Sequence, residues 1–153
     1  STSQTVRHNK NKKMKKHFYL LCFSLFTQYL FSQQSILSIK ILGIKEVKGI
    51  IQVGIYNEKD AFPKKGREYR VEYFMVTSKE TTVTIENLAH DEYSIALYHD
   101  LNSDGECNLN FISIPKEPYG FSNNVKPVLS APSFERTKFA LNSNRTIQIK
   151  LID

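Results

Sequence analysis

Oxygen-bearing side chains recur at every second position in part of the stretch "HDLNSDGECN", residues 99–108. The D-x-[DN]-x-[DN]-G pattern of calcium loops is filled by Asp100, Asn102, Asp104 and Gly105. Glu106 would add its backbone carbonyl at the seventh place, and Asn108 its side chain at the ninth. Calcium prefers several oxygen ligands that a sharply turning segment points inward. Calcium binding in loop 100–110 is therefore one hypothesis.

The closing ligand of such a loop is missing. The twelfth place, where a bidentate Glu is expected, is occupied by Phe111, so the sequence predicts a weak site with Kd on the order of 10⁻⁴ to 10⁻³ M. Glu106 or Glu117 could supply a third carboxylate if the loop folds back. The alternative is a polar turn without metal, because Asn, Asp, Ser and Gly bond their own backbone and tolerate left-handed dihedrals. Both interpretations stay open, with the turn slightly favoured.

His99 stands beside an acidic residue and invites comparison with hydrolases, in which Ser113 or Ser122 would be the nucleophile. Adjacent residues of a strand point to opposite faces, so His99 and Asp100 cannot easily share one site. No nucleophile-elbow motif is present. We therefore assign no catalytic residue and expect His99 to be a strand-end histidine that bonds to the long loop. A hydrolase-like enzyme using His99 and the 113–124 loop is the alternative.

The stretch "PYGFSNN", residues 118–124, combines aromatic faces with amide groups, a mixture that can bind glycans or peptides. The candidate ligand-binding residues are His99, Glu117, Tyr119, Phe121, Ser122 and Asn123. The simpler alternative is that the aromatic rings pack this segment onto the fold while the two Asn side chains cap its backbone. We favour that alternative.

Short segments of alternating apolar and polar residues run through the chain from Ser35 to Asp153. Their β-branched and aromatic residues predict an all-β fold, a single antiparallel β-sandwich of about seven strands that is immunoglobulin- or transthyretin-like. The inward-facing residues are expected to include Ile51, Val53 and Ile55 in one strand and Val71, Tyr73 and Met75 in the next. Residues 134–141 are expected to form a strand, residues 57–69 a loop with one helical turn, and residues 100–132 a long loop. Tyr93, which opens a strand after Leu88, predicts a tyrosine corner.

Residues 93–124 and then 131–141 resemble a bacterial exported family, domain of unknown function 2141 (DUF2141). The shared features are His99-Asp100, the Asn102–Gly105 turn, Ile114-Pro115, Glu117, Tyr119-Gly120-Phe121-Ser122, and Phe134 with Phe139. The chain departs from the family pattern at Ser113 and Pro118, where Gly is usual, and at Asn108, where Asp is usual. The last departure removes one formal charge from a metal site. The resemblance covers about residues 36–152 and implies the fold and export rather than a mechanism.

The N-terminal residues are basic and then apolar. Six of the 21 Lys and Arg residues precede residue 34, whereas the remainder holds 15 basic and 15 acidic residues, so the body has no charge footprint for nucleic acid. Residues 14–33 have the layout of a signal peptide, and the apolar run 18–31 is shorter than the roughly 20 residues of a spanning helix.

We therefore expect a disordered extension at 1–13, a signal-peptide helix at 14–33, cleavage near Ser32 or Gln33, and a β-sandwich domain at 35–153. The protein would be periplasmic, secreted or on the cell surface, without a stable membrane span after cleavage. Cleavage would remove Cys22 and leave Cys107 with no partner for an intramolecular disulfide. The partner would be an envelope, glycan or protein ligand, with calcium as the one candidate cofactor.

Overall fold

The computed structural model of the chain describes residues 33–108 and 115–153. The predicted extension at 1–13, nearly all of the signal peptide at 14–33, and the candidate nucleophile Ser113 lie outside these residues. None of the helices within the described ranges is long and apolar enough to cross a membrane.

Within residues 33–108 and 115–153 the chain forms eight strands and very little helix. The strands are β1 (Gln34–Leu42), β2 (Ile50–Tyr56), β3 (Arg70–Met75), β4 (Thr81–Ala89), β5 (Asp91–Asp100), β6 (Tyr119–Phe121), β7 (Phe139–Leu141) and β8 (Arg145–Lys150). The helical elements are a 3₁₀ turn, Ser122–Asn124, and one short helix, α1 (Phe134–Thr137).

The strands form two sheets. One has the order β4-β1-β8, and the other has the order β3-β2-β5-β6 with β7 paired to β5. The predicted all-β sandwich is confirmed, although eight strands are present in the described residues rather than about seven. The pairing is not antiparallel throughout, because β1 and β8 run parallel.

The main core lies between the inward faces of the two sheets. In β1, Leu37, Ile39 and Ile41 are fully buried while the residues between them are partly exposed, which is the alternation that one-sided burial imposes on a strand. They belong to the same apolar cluster as Ile51 and Ile95 of the other sheet. Each such side chain contributes about 1.5–3 kcal/mol when fully buried.

The outward face of the β3-β2-β5-β6 sheet carries a second apolar cluster. It consists of Tyr56, Ala61, Phe62, Tyr98, Tyr119, Phe121 and Phe134. Phe62 comes from the loop between β2 and β3, and its ring meets those of Tyr56 and Phe134 edge to face at 5.1 and 6.2 Å. Loop 57–69 and α1 thus cover this face, which explains why β2 is buried on both sides instead of alternating.

The prediction that Val71, Tyr73 and Met75 form the inward face of β3 is wrong. Tyr73 and Met75 are 62% and 78% exposed, whereas Phe74 between them packs against the main core. The register between β2 and β3 pairs Phe74 with Ile51, an inward residue of β2. Apolar residues occupy both alternating sets of this strand, so the sequence period could not identify its inner face.

Tyr93 forms the predicted tyrosine corner. Its hydroxyl donates to the carbonyl oxygen of Ala89 at 3.0 Å, and the residue is fully buried. Two other predicted segments differ from the structure. The segment 134–141 begins with α1 and becomes a strand only at Phe139, and the expected long loop 100–132 contains β6 and the 3₁₀ turn. In loop 57–69, Phe62 donates its N–H to the carbonyl of Glu58, which is the expected helical turn.

Candidate functional site

The acidic loop is folded by hydrogen bonds to its own carboxylates. Asp100, at the end of β5, accepts the N–H groups of Asp104 at 3.2 Å and Gly105 at 2.8 Å. Asp104 accepts the Glu106 N–H at 2.8 Å and the side-chain amides of Asn102 and Asn108 at 2.7 and 3.0 Å. The bonds from Asn108, Glu106 and Asn102 lower the pKa of Asp104. The predicted ligand residues are therefore gathered in one tight turn.

The loop is also tied to loop 57–69 by a lysine. The Nζ of Lys65 lies 2.7 Å from the carboxylate of Glu106 and 3.2 Å from the carbonyl oxygen of Gly105. The hydrogen bond with Glu106 raises the pKa of Lys65. Because both side chains are largely exposed, this ion pair adds little to the stability of the fold. It occupies the Glu106 carboxylate, which leaves the predicted backbone carbonyl as the contribution of Glu106 to an ion.

Glu117 lies beside the start of the acidic loop. Its side chain is buried, and its Oε1 accepts the backbone N–H of Leu101 at 3.1 Å. Its Oε2 is buried and has no hydrogen-bond partner within the described parts of the chain. Burial raises the pKa of Glu117, the N–H groups of Leu101 and Asn108 oppose this, and the negative charges of Asp100 and Asp104 raise the pKa further. Glu117 therefore lies beside Leu101, where β5 has just ended at Asp100.

Among the described residues, the side chains that most often bind metals do not form a cluster of three. Within residues 33–108 and 115–153, no three His, Cys, Asp or Glu side chains are grouped closely enough to hold a metal ion. The predicted calcium ligands, however, include amide and carbonyl oxygens as well as carboxylates. These are Asp100, Asn102, Asp104, Glu106 and Asn108. Calcium accepts such oxygens, so its binding here stays a prediction.

His99 is fully buried, and its ring connects the end of β5 to the segment between β1 and β2. Its Nε2 lies 2.7 Å from the carbonyl oxygen of Lys48, in the segment between β1 and β2. A carbonyl only accepts hydrogen bonds, so Nε2 carries the proton. The expected bond from His99 to the long loop is made by its backbone N–H, which donates to the Pro118 carbonyl at 2.7 Å, whereas the ring bonds to Lys48.

Ser122, the other candidate nucleophile, is fully buried in a hydrogen-bond network. Its Oγ accepts the N–H of Ile95 at 3.0 Å and donates to the carbonyl of Thr137 at 2.6 Å. Thr137 in turn donates to Ser94 Oγ at 3.0 Å. This network fastens α1 and the 3₁₀ turn to β5.

The aromatic and amide groups of residues 119–124 are used within the fold. Tyr119 and Phe121 are 8% exposed, and their rings meet edge to face at 5.9 Å. Asn123 donates to the carbonyl of Lys138 at 3.0 Å. Asn124 donates to the Gln148 carbonyl and accepts a backbone N–H of β8. These contacts are those of the packing-and-capping alternative, and ligand binding by His99, Glu117, Tyr119, Phe121, Ser122 and Asn123 stays a prediction.

Two residues that contact the site had no signal in the sequence. Lys65 reaches the acidic loop and the Lys48 carbonyl reaches His99, and nothing local predicts contacts across such separations.

Cys107 is half-buried beside the second apolar cluster, and burial raises the pKa of its thiol to about 11. Since the thiolate is the reactive form, this raised pKa disfavours a nucleophilic role for Cys107.

The chain matches one known protein family. A family model described as an uncharacterized protein conserved in bacteria, DUF2141, matches residues 39–149. No curated protein and no solved structure matches the chain. The match spans both sheets, the acidic loop and the Tyr-Gly-Phe-Ser segment. The chain is thus a member of the bacterial DUF2141 family.

Proposed function

We propose that the protein is an exported, non-enzymatic β-sandwich module of the bacterial envelope, with a binding or structural role. The observation that carries the non-enzymatic part is the burial of His99 and Ser122. Both are fully buried, and each is hydrogen-bonded to a backbone carbonyl. The two residues that suggested catalysis in the sequence therefore serve to stabilise the fold. The partner would be an envelope component, a glycan or a protein.

Export is supported by the signal-like residues 14–33 and is tested directly. The protein expressed in a bacterial host should be recovered from the periplasm or medium, with an N-terminus near Gln33 or Gln34. Recovery of the intact Met14 segment in a membrane fraction would instead indicate an uncleaved anchor.

The proposal includes weak calcium binding by loop 100–110. It is supported by Asp100 and Asp104, whose carboxylates lie in one turn with the amides of Asn102 and Asn108. Calcium that binds only the folded state raises the melting temperature by mass action, with roughly 2.7 kcal/mol at a hundredfold excess over Kd. Identical melting curves in calcium and in chelator would show that the loop is a turn without metal.

The hydrolase-like alternative, with His99 and the 113–124 loop, requires His99 to reach a substrate. No contact within the described ranges favours this alternative, since the ring is enclosed and bonded to Lys48. A hydrolytic activity lost in a folded His99→Asn variant would establish it against our proposal.

A further inference from the structure

Glu117 presents an unusual combination of burial and missing partners. It is 6% exposed, and its Oε2 has no hydrogen-bond partner in the part of the chain that the structure describes. Removing a carboxylate from water without a partner is costly, so buried carboxylates are normally paired or coordinate metals. The unpartnered oxygen therefore marks a place where a cation would fit.

A second buried acid lies next to it. Asp100 is 3% exposed, and the Leu101 N–H that Glu117 accepts belongs to the following residue. No Lys, Arg or His in the described ranges forms an ion pair with either carboxylate. The nearby Lys65 pairs with Glu106 instead. Two neighbouring buried acids thus lack a counter-charge from the described protein groups.

We propose that Glu117 is the closing ligand of a divalent-cation site in which Glu117 and Asp100 are the two carboxylates and amide and carbonyl oxygens of the acidic loop supply the other ligands. This inference rests on the proposed calcium binding and deepens it, because it names the carboxylate that replaces the Glu missing at the twelfth place of the motif. Calcium is the cation that fits, since it accepts six to eight oxygens in a flexible geometry. Magnesium demands a near-ideal octahedron and parts with its waters reluctantly.

The ion would have a structural effect on the loop. Asp100 is the last residue of β5, and Glu117 stands two residues before β6 begins at Tyr119. An ion held by both would connect the end of β5 to the residues that lead into β6. The cation would therefore stabilise the position of Glu117 relative to β5.

The test is a calcium titration of the wild-type protein and of Glu117→Gln, followed by isothermal calorimetry and by melting in calcium and in chelator. Gln keeps the size of the side chain and an oxygen for the Leu101 N–H but removes the charge. We expect the calcium Kd to weaken at least about tenfold, because affinity follows the number of charged ligands and even changes outside the ligand set cost 10- to 100-fold. We expect the melting temperature in chelator to stay level or rise.

Glu80→Gln is the matched control, because it removes the same charge from an exposed ion pair with Lys40 on the other sheet. It should leave calcium affinity unchanged. Calcium binding that is equal in Glu117→Gln and wild type would overturn the role of Glu117 alone. Absence of calcium binding in the wild type would overturn the proposed calcium loop as well. Should Glu117→Gln fail to fold, Glu117→Asp, which keeps the charge but shortens the reach, must show the same weakening.

Discussion

The Nε2 atom of His99 lies 2.7 Å from the carbonyl oxygen of Lys48, although 51 residues separate the two in sequence. The contact joins the end of β5 to the turn that precedes β2. Gly49, next to Lys48, makes this approach possible: its φ is +72°, and a Cβ there would lie 2.1 Å from the carbonyl oxygen of Asp100. His99 and Asp100 thus lie against the backbone of Lys48 and Gly49, where the segment between β1 and β2 passes close to the end of β5.

We expect His99→Ala to destabilise the protein by about 2 kcal/mol or more. The substitution leaves a cavity at a fully buried side chain and removes the hydrogen bond that the ring donates to the Lys48 carbonyl. Urea unfolding followed by circular dichroism measures the change. His90→Ala is a useful comparison, because His90 is only partly buried and bonds to a side chain, Ser35, at 2.8 Å. A stable His99→Ala protein would contradict the structural role.

The tyrosine corner gives a prediction with a closely matched control. Tyr93→Phe keeps the buried ring but removes the hydroxyl that donates to Ala89, so we expect a loss of about 1 kcal/mol. Tyr73→Phe makes the same chemical change at a ring that is 62% exposed on β3, and it should change the free energy of unfolding by less than about 0.5 kcal/mol. Equal effects of the two substitutions would show that the corner bond adds nothing.

Buried tyrosines predict a loss of stability in alkali. Burial raises the pKa of Tyr93 from 10.0 to about 12 and also raises those of Tyr56, Tyr98 and Tyr119. In the window between the unfolded and folded pKa values, the native state holds more protons than the unfolded state, so stability falls as pH rises. Stability should be unaffected by these groups below pH 10.0 and decline above it. Urea unfolding at increasing pH checks this, and the decline should be smaller in Tyr93→Phe.

The predictable part of the fold is the part in which burial is one-sided. The alternation in β1 identifies Leu37, Ile39 and Ile41 as core because only one face of that strand is buried. In β2 the same pattern is incomplete, since the second apolar cluster also covers the outward face. That cluster depends on Phe62 and Phe134, which come from loop 57–69 and α1, and no local pattern shows that these residues fold back onto the sheet.

The candidate site likewise has a part that local sequence patterns predict and a part that they do not. Asp100, Asn102 and Asp104 are recognisable by spacing because they lie within one turn, and the turn is present. The positions of Glu117 and Lys65 depend on long-range contacts, so the sequence identified Glu117 only as one of two acids available as a third carboxylate. His99 attracted a catalytic hypothesis because its neighbour is acidic. Its partner Lys48 is distant in sequence, which is why the structural role was not visible.

The inner face of β3 can be tested by two neighbouring substitutions. Phe74 packs on the main core, whereas Met75 is 78% exposed, so Phe74→Ala should cost about 2 kcal/mol or more and Met75→Ala less than about 0.5 kcal/mol. The sequence alone favours the opposite ranking, because Met75 continues the alternation of Val71 and Tyr73. Urea unfolding of both variants decides between the two faces. A larger loss for Met75→Ala would show that β3 pairs with β2 one residue out of the register in which Ile51 faces Phe74, since a one-residue slip exchanges the two faces of a strand.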